Sequence, residues 1–382
     1  MGVNNVDASE DASNEIYVSE KKYNAVIKID VNTGNAKYVG LIPNEEVNCE
    51  NLYWKSINWN SKVFFIPYNA REIAVLDTHT LEIRKIHNTE EMKQLENISY
   101  KYSNCFINGN SLIIMPDKIH MIVEVNLMTE KIINTINIEK LKNGSKETHF
   151  IGDDIYVKEN ILYGACWEEP ALIEYNLISH NVTKISVQYV NTGFSCMSGV
   201  GNKMYMMSQT QEFVVWNIDN KCIEKIEKVD ELDLLKVNMR RGTLIEDNVI
   251  FLDSGLRKRI KYNISSDELD IGDVFDQSND GNSEEYRLDD VDGDEIYVYS
   301  YSDTYIKYNL KRNSYLYCTK CSLYEDDMYR CYLNIYGAFH NIPMFDMLPA
   351  LLKALKDNQY EKLKKSNDLE ENIGINIYTT LN

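Results

Sequence analysis

Glu246-Asp247-Asn248-Val249-Ile250-Phe251-Leu252-Asp253, then Tyr262-Asn263-Ile264-Ser265-Ser266-Asp267-Glu268, is the stretch that decides the fold. A polar turn leads into an apolar, β-branched run. A second run ends in an apolar residue followed by Asn, and a second polar turn follows. The apolar-plus-Asp/Asn pair recurs along the chain. It appears as Ile29-Asp30, Leu76-Asp77, Val125-Asn126, Tyr175-Asn176, Trp216-Asn217, Tyr262-Asn263 and Tyr308-Asn309. The steps from Asp30 to Asn309 average about 46 residues, the length of a four-stranded repeating unit.

Upstream of each pair lies a strand-like run: Ile16–Ser19, Val63–Pro67, Leu112–Pro116, Ile161–Ala165, Met204–Ser208, Val249–Asp253 and Ile296–Ser300. Turns such as Asn108-Gly109-Asn110, Gly201-Asn202 and Asp292-Gly293 precede these runs, because Asn and Gly tolerate positive φ in tight hairpins. Each unit therefore reads as four antiparallel strands, A to D, repeated seven times. The pattern resembles β-propellers over roughly residues 16–336. The pair ending strand C looks like the Trp-Asp position of WD repeats, and the loose consensus also resembles YVTN and kelch-like propellers. Only Trp216 supplies the tryptophan, and the Gly-His dipeptide of WD repeats is absent, so no subfamily follows. The resemblance implies an all-β, seven-bladed propeller and carries over no catalytic residue.

The first unit starts at strand B. Tyr329–Asn334 is the expected closing strand beside Ile16–Ser19, with residues 3–10 the weaker alternative because they are acidic. Residues 1–15 read as a flexible segment, 16–336 as the propeller and 337–382 as a helical tail. In that tail, Asp346 is the N-cap and Leu348, Leu351, Leu352, Leu355 and Leu363 form an apolar stripe. A short helix is expected near Thr89–Leu95, where Thr precedes two glutamates.

The chain of 382 residues carries a formal charge of −19, which argues against nucleic-acid binding. No apolar run approaches a membrane span. The polar, acidic start is unlike a secretory signal, so with Met1 as the native start a cytoplasmic location is expected. The eight cysteines are scattered, and Cys105, Cys166 and Cys196 sit in strand-like runs, as buried free thiols do. Cys318 and Cys321 lack a second ligand pair and read as strand cysteines, so neither metal nor cofactor is expected. Asp289–Glu295 lacks EF-hand spacing and reads as a hairpin with Asp292-Gly293 at its tip.

In this fold the D–A and B–C loops share the face at the mouth of the central channel. Counting nine residues back from strand B gives Trp54, Ser103, Gly152, Ser195, Arg240 and Arg287 in blades two to seven. Arg330 takes the matching place in the closing strand. These arginines suit a carboxylate or phosphate on a ligand, or ion pairs with neighbouring acids such as Asp253. The B–C loops add Tyr68, Arg71, His120, Trp167, Glu168 and Gln209. The favoured function is a non-catalytic binding propeller engaging a protein, peptide or glycan on this face. A propeller lyase or hydrolase using His149 or His120 with Glu168 is the alternative. A structural role through the tail is a third reading.

Overall fold

Each of the seven marked residues ends a strand and then closes the turn that follows. The strands are Val26–Asp30, Ile73–Asp77, Met121–Asn126, Ala171–Asn176, Glu212–Asn217, Lys258–Asn263 and Thr304–Asn309. The side-chain oxygen of each terminal Asp or Asn accepts the main-chain N–H three residues on. The donors are Thr33, Thr80, Thr129, Ser179, Asn220, Ser266 and Arg312, at 2.8–3.2 Å. This is an Asx turn, which needs a short side chain with an acceptor two bonds from Cβ. The periodic Asp/Asn is thus a periodic cap on the turn between strands C and D.

The structure is a computed structural model. It describes residues 5–6, 15–20, 24–30, 32–46, 49–141, 151–229, 239–274, 286–300, 304–320 and 322–323, with backbone alone at some strand positions. Seven sheets form a ring. In blades two to seven, four strands run as an antiparallel meander in chain order. The inner strands are Tyr53–Trp59, Tyr102–Asn108, Ile151–Lys158, Phe194–Val200, Met239–Ile245 and Tyr286–Asp292. All seven expected B strands are present to within a residue at either end. Thr89 caps the short helix Glu90–Lys93 by accepting from the N–H of Met92. Gly109, Gly201 and Gly293 take positive φ at A–B hairpin tips, with Asp292-Gly293 among them as expected.

Blade one differs. Its strands Glu15–Ser19, Val26–Asp30 and Asn35–Gly40 are antiparallel, and Ser322–Leu323 adds to the outer edge in parallel. The expected closing strand Tyr329–Asn334 and the tail helix lie outside the described residues, as does Asp276–Glu285. Residues 3–10 do supply a strand, Asn5–Val6, but it pairs in parallel with Lys55 and Ser56 on the channel side of blade two. It also lies against Glu15–Ser19 of blade one and the inner strand of blade seven.

The core lies between blades rather than within them. Phe64 and Val75 of blade two pack with Leu112 and Ile114 of blade three. Ile113 and Met115 pack with Leu162 and Ile173 of blade four, and Cys196 and Phe213 of blade five with Phe251 of blade six. A single blade has two apolar faces and no interior, so it is stable only between neighbours. Cys105, Cys166 and Cys196 are buried free thiols in these interfaces, as expected.

The inner strands of blades four, five and six approach closely. Asp154 of blade four accepts the N–H of Met197 in blade five and of Gly242 in blade six, both at 2.9 Å through Oδ2. Its Oδ1 lies 3.6 Å from Arg241 Nη1, with both side chains about nine-tenths buried. Gly242 is required for this approach, since a Cβ there would stand 2.5 Å from the carbonyl oxygen of Met197.

Candidate binding face

The nine-residue offset marks a recurrent irregularity in the inner strands. Register slips by one residue at Trp54, Ser103, Ser195 and Arg240, and across 152–154 in blade four. A bulge turns its side chain away from the alternation of the strand. In blade seven the slip falls at Asp289 instead, and Arg287 pairs in register with Tyr299. The description of Arg287 is limited to its backbone. Arg330 and His149 lie outside the described residues.

Trp54 and Arg240 therefore occupy equivalent bulges on blades that stand across the ring from each other. The Arg240 guanidinium carbon lies 5.7 Å from the Trp54 ring centroid, so the pair spans the mouth. Trp54 also stacks on Tyr68, centroids 5.1 Å apart with an interplanar angle of 24°. Tyr68 meets Tyr100 edge-on at 4.7 Å, and Lys118 sits 4.4 Å from the Tyr100 centroid. The result is a row of three aromatic rings with a cation resting on a ring at each end. Offset and edge-to-face packing suit the ring quadrupoles, and cations favour ring faces. The offset and residue type of Arg240 suit an anion or a neighbouring acid such as Asp253, and at the mouth its guanidinium also lies over an aromatic ring. Asp253 is fully buried and accepts from Arg257 Nε at 3.0 Å. Tyr100 and Lys118 complete the row but were not singled out in the sequence. Both flank the blade-three turns, and only the docking of residues 87–101 onto the Tyr68 loop brings them in. There Lys101 N–H donates to the Tyr68 carbonyl and Tyr100 N–H to Asn69 Oδ1.

Beside this row is a recess of about 380 Å³, lined by Glu45, Glu46, Glu50, Asn69, Arg71 and Glu96 among others. Arg71 donates its N–H to Glu45 at 2.9 Å and sends Nη2 to within 3.7 Å of Glu46. Glu45 is buried and holds Lys85 Nζ at 2.5 Å. Lys101 lies beneath, and burial pulls its amine down to about 8 against the opposing pull of Glu45. Burial, and secondarily Glu46, raises the Cys49 thiol.

The remaining candidates lie apart from the row. Trp167 is half-buried, and its carbonyl accepts from Gln209 Nε2. Its backbone presses on Gly193, where a Cβ would stand 1.9 Å from the carbonyl oxygen. Glu168 is exposed and His120 half-buried. Histidine–carboxylate contacts occur at His87–Glu72 and His180–Glu124, the second at a C–D turn on the opposite face. Among the described residues no three acidic, His or Cys side chains are grouped as a metal site needs. No described helix is long and apolar enough to cross a membrane.

The central channel holds a cavity of about 490 Å³ below the mouth, lined by Lys55, Asn104, Asp154, Ser198, Arg241 and Thr243 among others. Its acid–base pair is already engaged as a tie between blades.

No protein-family profile matches the sequence. No curated protein is significantly similar to it. Several solved structures share the fold. A computationally designed protein, Ika8, superposes with a TM-score of 0.53 at 8% identity, over 84% of this chain and 87% of that one. BamB from Moraxella catarrhalis gives 0.53 at 14% identity, over 78% and 81%. A chain of a mitotic checkpoint complex gives 0.53 at 10%, over 78% and 83%. Identities this low carry the architecture alone. On its ring of seven sheets and these superpositions, the chain is a seven-bladed β-propeller.

Proposed function

We propose that the chain is a binding propeller that engages a protein or peptide partner on the face bearing the channel mouth. The observation that supports this is the row Arg240–Trp54–Tyr68–Tyr100–Lys118, built from two bulges and three loops on one face. Aromatic and Arg side chains are the usual anchors of protein interfaces, and Tyr100 is 40% exposed. A glycan is less well served. Trp54 is stacked on Tyr68 and carries Arg240, so it offers no bare platform to a sugar ring. That one structural neighbour is a chain of a mitotic checkpoint complex agrees with this reading. A lyase or hydrolase needs titratable groups converging in one pocket; His120 and Glu168 instead belong to separate loops of blades three and four.

The test is site-specific photo-crosslinking in the full chain. A photoreactive phenylalanine replaces Tyr100 on this face or Ile178 at a C–D turn of the opposite face. The expected result is a discrete adduct from position 100 that disappears in a Trp54→Ala, Tyr68→Ala background. Equal adducts from both positions, or an adduct indifferent to the background, would refute the proposal.

A further inference from the structure

Strand C breaks the repeat at one core position in blade six. The residue four places before the marked Asp or Asn is Val26, Ile73, Ile122, Leu172 and Phe213 in blades one to five. Each of these is 0% exposed. Each also belongs to the apolar cluster shared with the next blade. In blade six the residue at this place is Arg259. It stands between Leu252 of strand B and Gly272 of strand D, Glu268–Asp273. Leu252 packs with Leu288, Ile296 and Val298 of blade seven, and directly opposed cross-strand residues share a face of the sheet. Arg259 therefore faces blade seven, in a seam where the five preceding blades place an apolar side chain.

The fold supplies this guanidinium with no acid. Its Nε is buried and makes no hydrogen bond, and among the described residues no carboxylate pairs with it. Nearby acids face other cations. Asp253 holds Arg257 at 3.0 Å, Asp273 holds Lys258 at 2.7 Å, and Asp270 stands opposite Lys261. The residue opposite Arg259 is instead a glycine. A Cβ on Gly272 would stand 3.4 Å from Arg259 Nε and 3.9 Å from Nη2, so the guanidinium lies along the outermost strand in space that a longer side chain would fill. Arg259 as a whole is half-buried. Its main chain is paired on both sides and its Nε is sealed, so the outer end of the side chain is what can meet a ligand. A partly buried, unpaired charge costs stability, and a break in a repeat's own rule is expected where a site is kept for another purpose.

We infer that the seam between blades six and seven is an oxyanion site, in which the outer edge of the Arg259 guanidinium takes a carboxylate or phosphate. That edge presents parallel N–H groups that match either one. The site is separate from the aromatic row and does not depend on the binding reading above. An acidic protein segment and a free anion are the sources of such a group.

Fluorescence anisotropy of a labelled tetraglutamate peptide with the full chain tests it, with inorganic phosphate as competitor at constant ionic strength. Both probes should bind. Arg259→Leu restores the apolar type of blades one to five and should weaken both by about tenfold or more. Its melting temperature should equal or exceed that of wild type, because an apolar side chain replaces an unpaired charge. Gly272→Asp puts a carboxylate opposite Arg259, as Asp273 stands opposite Lys258, and should abolish binding while the fold persists. Lys131→Gln removes an exposed positive charge from strand D of blade three and should change binding by less than about twofold. Peptide binding that phosphate displaces only weakly assigns an acidic protein segment, and phosphate binding as tight as the peptide's assigns a free anion; either supports the site. Binding of neither probe, or equal losses in Lys131→Gln and Arg259→Leu, would overturn it. So would an Arg259→Leu variant that melts well below wild type, since the arginine would then be serving the fold.

Discussion

Replacing Asp154 tests whether one carboxylate ties three blades together. Asp154→Ala strands the N–H groups of Met197 and Gly242, each now accepted at 2.9 Å, and removes a carboxylate facing Arg241. A buried unsatisfied donor costs about 1–3 kcal/mol, and breaking a buried ion pair costs about 3–5 kcal/mol. The losses share one side chain and do not add, so about 3–5 kcal/mol is expected overall. Unfolding entropy of about 2.1 cal/mol/K per residue gives roughly 0.8 kcal/mol/K for a chain of this length. The melting temperature should then fall by about 4–6 °C. Asp154→Asn separates the two contributions. Its amide oxygen can still accept both N–H groups, while the charge facing Arg241 is gone. A loss of about 1–3 kcal/mol, or roughly 1–4 °C, is expected. Thermal unfolding followed by circular dichroism and calorimetry reads both. An Ala variant melting within about 1 °C of wild type would refute the tie. An Asn variant as damaged as Ala would show that the main-chain bonds carry none of it.

Three further outcomes follow from the same geometry. Gly242→Ala should lose about 1–3 kcal/mol, because its Cβ meets the Met197 main chain, whereas Gly201→Asn at an open hairpin tip should stay near wild type in chemical denaturation. Asn263→Ala should cost about 1 kcal/mol by removing the acceptor for the Ser266 N–H, and Asn263→Asp should restore most of it; equal losses would mean the Asx cap is not what this position supplies. Burial holds the Lys101 amine near 8, below its ordinary 10.5. Its penalty on the fold is therefore fully present below about 8 and is relieved as pH rises from there toward 10.5. The difference in stability between wild type and Lys101→Met should shift in favour of wild type between those pH values. A difference that stays flat would refute the depressed amine.

The wild-type channel mouth illustrates how far sequence reading reaches. The nine-residue offset found Trp54 and Arg240 because a bulge recurs at that place in most inner strands. It gave no partner for either, because their contact spans the ring between segments almost two hundred positions apart. The offset and residue type suggest an anion or an ion pair with a neighbouring acid for Arg240, and neither shows that ring closure places Trp54 opposite it. Tyr100 and Lys118 carried no local signal. Each gains its role from the packing of residues 87–101 on the blade-two loop, and such docking has no period to read.

By contrast, the seven-fold ring was written in the chain. An Asx turn needs Asp or Asn at one position, and a strand between two neighbours needs alternating or continuous apolar residues. Both requirements are local, so they recur at a fixed period and survive wide divergence elsewhere. What tertiary structure alone decided is where the ring is tied and what its mouth presents. Asp154 reaches two other blades, Asn5–Val6 joins blade two rather than blade one, and four glutamates from two connections gather beside an aromatic row. These are contacts between distant segments. They depend on how a closed ring brings loops together, and no single stretch of sequence encodes that distance.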